Sequence, residues 1–164
     1  MELRDAAEAD LAGLVAIYND VIATSTATYT TTLVTLEDRR QWWRARVAAG
    51  YPVLVALDES GVIGFATFGD FRPWPGYRFT VEHTVHVRGD RRGGGVGTRL
   101  LQALFPRAAS LGKHMMIAAV DGANLASIRF HERLGFERSG CLREVGHKFD
   151  RWLDLVFLQR RIDA

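Results

Sequence analysis

The sequence predicts an α/β (α+β) fold, a single domain over residues 1–164 with a mixed central sheet flanked by helices. Three observations predict it. Strand-like and helical periodicities follow one another in the order strand, helix, helix, three strands, helix, strand, helix, then strands. A glycine-rich run, Arg92 to Gly97, stands between a strand and a helix. The 164 residues are 48% hydrophobic and 24% charged, which suits one soluble globular core.

Each element has its own warrant. ELRDA at 2–6 reads as a short strand. Leu11, Leu14, Val15, Tyr18, Val21 and Ile22 recur at helical spacing and predict a helix over about 9–23. Thr24 to Thr32 is polar, β-branched and weakly patterned, and reads as a loop. Thr35 with Asp38 three residues on starts a second helix, and Gly50 stops it. YPVLVAL at 51–57 and VIGFATF at 62–68 are strands joined by the turn DESG. Residues 69–78, GDFRPWPGYR, form a loop. TVEHTVHV at 80–87 alternates as a strand, and a helix follows over about 98–111. HMMIAAV at 114–120 is a buried strand, and 124–134 is a helix stopped by Gly135. Phe136 onward is mostly extended and ends in WLDLVFL at 152–158.

Composition excludes several function classes. The net charge is +2, which makes no long-range case for nucleic acid or a membrane surface. Arg88 to Arg92 still concentrates positive charge suited to a small anion. Cys141 is the only cysteine, so no internal disulfide forms, and it reads as a buried apolar residue. No apolar run approaches a membrane span, and MELRDAAEAD lacks a signal-peptide pattern, so cytoplasm is expected. The five histidines show no metal-ligand spacing, and no metal is expected.

The sharpest motif is Arg92-Gly93-Gly94-Gly95-Val96-Gly97. Glycines let successive N–H groups turn toward one point, and the helix beyond adds its unpaired donors and positive dipole end. Together these make a pyrophosphate site. A Walker loop needs a lysine at the helix start, and Gly97-Thr98-Arg99 has none. A dinucleotide fingerprint finds no frame. A flexible glycine turn remains the plain alternative.

The spacing Arg92-x-x-Gly95-x-Gly97 resembles the pyrophosphate motif of the Gcn5-related N-acetyltransferase (GNAT) superfamily. The likeness covers the whole chain. RDAAEADLAGLVAIYND resembles that superfamily's first strand and helix, and NLASIRFHERLGF at 124–136 resembles its second motif. Two longer strings, GDFRPWPGYRFTVEHTV at 69–85 and VGHKFDRWLDL at 145–155, resemble the amino-acid acetyltransferases acting on phosphinothricin, methionine sulfoximine and methionine sulfone.

The resemblance implies a GNAT fold and acetyl-CoA as co-substrate. It implies cofactor contacts from Val85, His86 and Val87, on a strand that splays from its neighbour, and from Arg92, Gly93, Gly94, Gly95, Val96, Gly97, Thr98 and Asn124. It places Arg72, Pro73, Trp74, Glu82, His83 and Thr84 in the acceptor pocket. Val85 would supply the oxyanion N–H, and family members are commonly dimers, so a homodimer is expected.

Amine acetylation needs a proton acceptor, a thioester held close by, and fixed donors for the developing oxyanion. Glu82 is the candidate base, and the alternative is a strand carboxylate paired with Arg78 or another cation. Asn124 suits a helix cap, which is compatible with cofactor contact. His131 stands where many superfamily members carry a tyrosine acid; its imidazole reads as the acid for the leaving thiolate or as a satisfied packing histidine, which leaves the acid unassigned. Tyr29 reads as a pocket closure or as surface, and Trp42 and Trp43 as packing. The loop at 71–78 joins aromatics to Arg72 and Arg78, which suits a small zwitterion with a polar end group. Two rivals stand beside this reading. One is acetylation of a protein N-terminus or an aminoglycoside, and the other is a non-catalytic acetyl-CoA sensor.

Overall fold

In the computed structural model, which describes residues 1–162, seven strands form one sheet in the order β1-β2-β3-β4-β5-β7-β6. The elements are β1 (Glu2–Asp5), α1 (Leu11–Thr24), α2 (Leu36–Ala48), β2 (Val53–Asp58), β3 (Gly61–Asp70), β4 (Thr80–Val87), α3 (Val96–Ser110), β5 (Met115–Asp121), α4 (Leu125–Arg133), β6 (Glu137–Lys148) and β7 (Arg151–Arg161). The pairing of β4 with β5 is parallel, and every other neighbouring pair is antiparallel.

Strand alternation divides the core in two. Leu54 and Ala56 of β2 join Ala66, Phe68, Val81, Leu100 and Leu104 on the face covered by α3 and α4. Val53 and Val55 join Leu11, Leu14, Ile17 and Phe65 on the face covered by α1 and α2, where Trp42 and Trp43 pack as expected. β2 is buried on both faces, which explains its unbroken apolar run.

The expected order of elements holds, with shifted boundaries. α3 starts at Val96, two residues before Thr98, because Gly95 takes φ +79° and caps the helix directly. α2 starts with the Thr35–Asp38 capping box that its sequence suggested, Asp38 N–H donating to Thr35 Oγ1 (3.1 Å) and Thr35 N–H to Asp38 Oδ2 (2.7 Å). The extended stretch after Phe136 resolves into a hairpin whose two turn residues, Phe149 and Asp150, have φ +52° and +55°. One expectation is corrected. Cys141 is exposed, because β6 is the sheet's edge strand and is exposed along most of its length. Among the described residues no helix is long and apolar enough to cross a membrane.

Candidate active site

The site begins where two strands part. β4 pairs with β5 only at Thr80, Val81 and Glu82, opposite Met115, Met116 and Ile117. Beyond Glu82 the strands separate. Which backbone groups this exposes follows from the β3–β4 ladder. Phe71 N–H donates to Thr80 O (3.3 Å) and Arg88 N–H to Ile63 O (2.9 Å), so the even residues of β4 bond to β3. The odd residues turn their N–H and C=O groups toward β5. Val85 and Val87 therefore face the cleft, as a pantetheine strand would require. His86 does not, since its backbone belongs to the ladder opposite Phe65.

The glycine loop closes one end of this cleft. Gly93 and Gly95 have φ +78° and +79°, and a Cβ built at either meets nothing within 4 Å, so the loop is bare backbone facing open space. The first N–H groups of α3, from Val96, Gly97 and Thr98, precede its first backbone bond, Arg99 N–H to Gly95 O (3.1 Å), and add free donors to the loop. Gly97 packs against Val87 and Phe130, where a Cβ would be 3.5 and 3.6 Å from their side chains. Of the nearby arginines, Arg91 is bound to Asp58 (2.9 Å) and Asp90 (2.8 Å), and Arg88 to Asp90 (2.6 Å). Arg92 donates only to Val87 O (3.2 Å) and makes no ion pair among the described residues, so its charge is free for an anion. Asn124 caps α4, its Oδ1 accepting from Ser127 N–H (3.0 Å).

Glu82 points to the α1/α2 face, opposite Gly69 in the register, with Thr84 beside it on the same face. It is half-buried and forms no ion pair among the described residues. Arg78, its suggested partner, instead donates to Pro75 O (3.1 Å) and lies over Phe79. Burial pushes the Glu82 carboxyl above the ordinary glutamate value, and the Arg72 guanidinium draws it partly back. Arg72 itself stacks on Phe71 at 4.6 Å. Pro73 and Trp74 lie at the loop's exposed tip, with Trp74 68% exposed.

His83 lies elsewhere. Its side chain points to the α3/α4 face, away from Glu82, because neighbouring strand residues alternate. There it is buried against Phe136 and His131. His131 Nδ1 donates to Ser127 O (2.7 Å), so the neutral ring's Nε2 accepts from His83 Nε2 (3.1 Å). In this arrangement His131 has no further proton to offer, and His83 Nδ1 is a buried lone pair without a partner. Burial lowers both rings below the ordinary histidine value.

Sequence reasoning missed the floor of the site. Ala119 of β5 and Leu155 and Phe157 of β7 are half-buried on the α1/α2 face, and Phe71 meets Phe157 edge-on at 6.3 Å. For Leu155 and Phe157 the local signal was the extended apolar run WLDLVFL at 152–158, which does not say which of its residues face a site. A separate cavity of about 390 Å³, lined by Trp43, Tyr51 and Arg107 among others, contains none of these residues.

A family model described as acetyltransferase (GNAT) family matches residues 14–136. The chain belongs to the GNAT family. It is an N-acetyltransferase, as its relatives' names agree. One GNAT relative, the L-methionine sulfoximine/L-methionine sulfone acetyltransferase of Pseudomonas paraeruginosa, is 53% identical over 98% of this chain and 94% of its own length. Among solved GNAT structures, the ribosomal-protein-alanine N-acetyltransferase from Brucella melitensis superposes with a TM-score of 0.96 at 46% identity, covering 98% of this chain and 99% of that one. A phosphinothricin acetyltransferase from Sinorhizobium meliloti, in complex with acetyl-CoA, gives 0.94 at 40% identity, covering 98% and 88%.

Proposed function

We propose that this chain, as one domain, transfers the acetyl group of acetyl-CoA directly to the α-amine of a small amino-acid analogue, methionine sulfoximine, methionine sulfone or phosphinothricin. The observation that carries this is the break in pairing at Glu82. It puts a half-buried, unpaired carboxylate at the point where the backbone of β4 becomes free to meet a thioester. The residues fit the co-substrate. Arg92 and the N–H groups of Gly93 to Thr98 would hold the pyrophosphate, Val85 and Val87 the pantetheine, and Asn124 would lie beside it. Bound there, acetyl-CoA supplies the activated acyl group. Glu82 would attract the acceptor's ammonium and take its proton, and Val85 N–H would donate to the carbonyl oxygen as the free amine forms the C–N bond. The C–S bond breaks and CoA leaves as its thiolate, which takes up a proton from solvent. Arg72, with Phe71 and Phe157, suits an acceptor with an aliphatic stem and a polar, tetrahedral end.

The relatives named for sulfoximine, sulfone and phosphinothricin support this acceptor class, while the Brucella neighbour's name keeps a protein N-terminus in view. We propose further that the enzyme works in the cytoplasm as a homodimer and detoxifies such analogues. The exposed Leu142, Val145 and Trp152 of β6 and β7 suit a dimer contact. Acetyl-CoA consumption with a panel of amines tests the acceptor. Methionine sulfone and sulfoximine should exceed methionine in kcat/KM by roughly 10- to 100-fold, because a thioether offers no acceptor oxygen to a donor such as Arg72 that the bound substrate covers, at about 1–3 kcal/mol each. A basic peptide or an aminoglycoside proving the better acceptor overturns this reading.

A further inference from the structure

The connection from α1 to α2 looks locally unanchored, since its run of threonines has no apolar pattern. It is nevertheless tied down at four points on the α1/α2 face. Thr26 Oγ1 donates to Asp121 Oδ2 at the end of β5 (2.5 Å). The Tyr29 hydroxyl donates to Asp154 O of β7 (2.6 Å). The Tyr29 ring occupies the space above Gly146, where a Cβ would lie 2.5 Å from its Cδ2. Lys148, only 3% exposed, sends its Nζ to Ser25 O (2.6 Å) and Thr28 O (2.9 Å).

Lys148 is the unusual member of this set. It makes no ion pair among the described residues, and its ammonium is instead held by two backbone carbonyls, with the Phe149 ring at 5.1 Å. Burying an ammonium is costly unless its hydrogen bonds are replaced. A lysine serving only as a surface charge would turn outward, as its flexible stem allows. The carbonyls it gathers belong to residues three apart, so they converge on one point only when the segment is bent as it is here.

The register shows what the segment borders. On this face β5 presents Ala119 and Asp121, and β7 presents the paired Phe157 and Leu155. Phe71 covers the Phe157 end, and Thr26 covers the Asp121 end. One strand repeat, about 7 Å, separates the two levels. The half-buried Ala119 stands at the Phe157 level and Leu155 at the Asp121 level, on the same face as Glu82 and Thr84.

We propose that Lys148 is the residue that positions residues 25–29 against the acceptor site, touching neither substrate. The inference rests on the acceptor reading above. It is tested with Lys148→Met and Tyr29→Phe in the full chain. Lys148→Met should raise KM for methionine sulfone about tenfold, or about 1.4 kcal/mol. Its kcat should change less than about threefold, and calorimetric acetyl-CoA affinity less than about twofold. Hydrogen exchange of residues 25–32 should rise in the same variant. Tyr29→Phe keeps the ring over Gly146 and should raise the acceptor KM less. The double variant should fall short of the product of the two effects, because both act on one segment. Lys148→Arg should recover part of the loss. An unchanged acceptor KM in a folded Lys148→Met, or equal losses of kcat and acetyl-CoA affinity, overturns the proposal. If Lys148→Met does not fold, the acceptor KM of Tyr29→Phe decides alone. Wild type that acetylates neither sulfone nor sulfoximine overturns the function proposed above. Loop exchange then decides whether Lys148 holds the segment.

Discussion

Replacing Glu82 by Gln removes a charge and a base while keeping the side chain's size and one acceptor oxygen. Glu82 makes no ion pair among the described residues, and its nearest influential cation, Arg72, is exposed. The change therefore strands no buried charge, and stability should stay within about 0.5 kcal/mol of wild type. The chemical step should suffer instead. Loss of a general base costs about 100-fold in turnover, or about 2.7 kcal/mol of transition-state stabilisation. The pH profile carries a second signature. Burial raises the Glu82 carboxyl above its ordinary 4.5, so wild-type kcat/KM should fall as pH drops through a midpoint above that value. Glu82→Gln should lack this acid limb. Arg72→Gln should move the limb upward, since Arg72 favours the ionised form. The assay is steady-state kinetics on methionine sulfone from pH 5 to 9, with calorimetric acetyl-CoA binding as control. Near-normal turnover of Glu82→Gln at pH 7, or an acid limb that survives the substitution, refutes Glu82 as base.

Two further outcomes are expected. Gly95→Val puts a β-branched residue at φ +79°, straining the cap of α3 and blocking backbone approach to the pyrophosphate. Its acetyl-CoA affinity should fall at least about tenfold, and unchanged calorimetric binding in a folded variant would remove the cradle assignment. His86 is buried against Tyr18 and Phe65, and burial, then Arg39 and Arg92, lowers its pKa from 6.5 to about 4. The unfolded chain binds the proton more readily, so stability is full above pH 6.5 and is lost as pH falls toward 4, by on the order of 3 kcal/mol. Urea midpoints should drop across that window before most carboxylates titrate, and His86→Phe should show a smaller drop. A midpoint flat from pH 6.5 to 4.5 in the wild type contradicts this account.

The local sequence sufficed wherever short-range physics decides the outcome. The order of elements followed from periodicity, because helices and strands place side chains on one face at different repeats. The glycine loop, the Thr35–Asp38 box and the Asn124 cap were legible because each is completed within a few residues. The odd–even alternation that separates Glu82 from His83 was also in the sequence, but which face held the acceptor was not. That depended on helices far away in the chain. The same is true of Arg78, which turns back to Pro75 of its own loop, and of Cys141, whose exposure comes from β6 being the sheet's edge strand. The site's floor and the anchoring of residues 25–29 were the least legible. Phe157 meets Phe71 across 86 residues of chain, and Lys148 reaches Ser25 across 123. The string 145–155 marks Lys148 by resemblance, but no local pattern says what its ammonium holds. Its charge is buried here only because the sheet order sets β7 beside β5 and places their ends beneath the α1–α2 connection, where two backbone carbonyls can hold it.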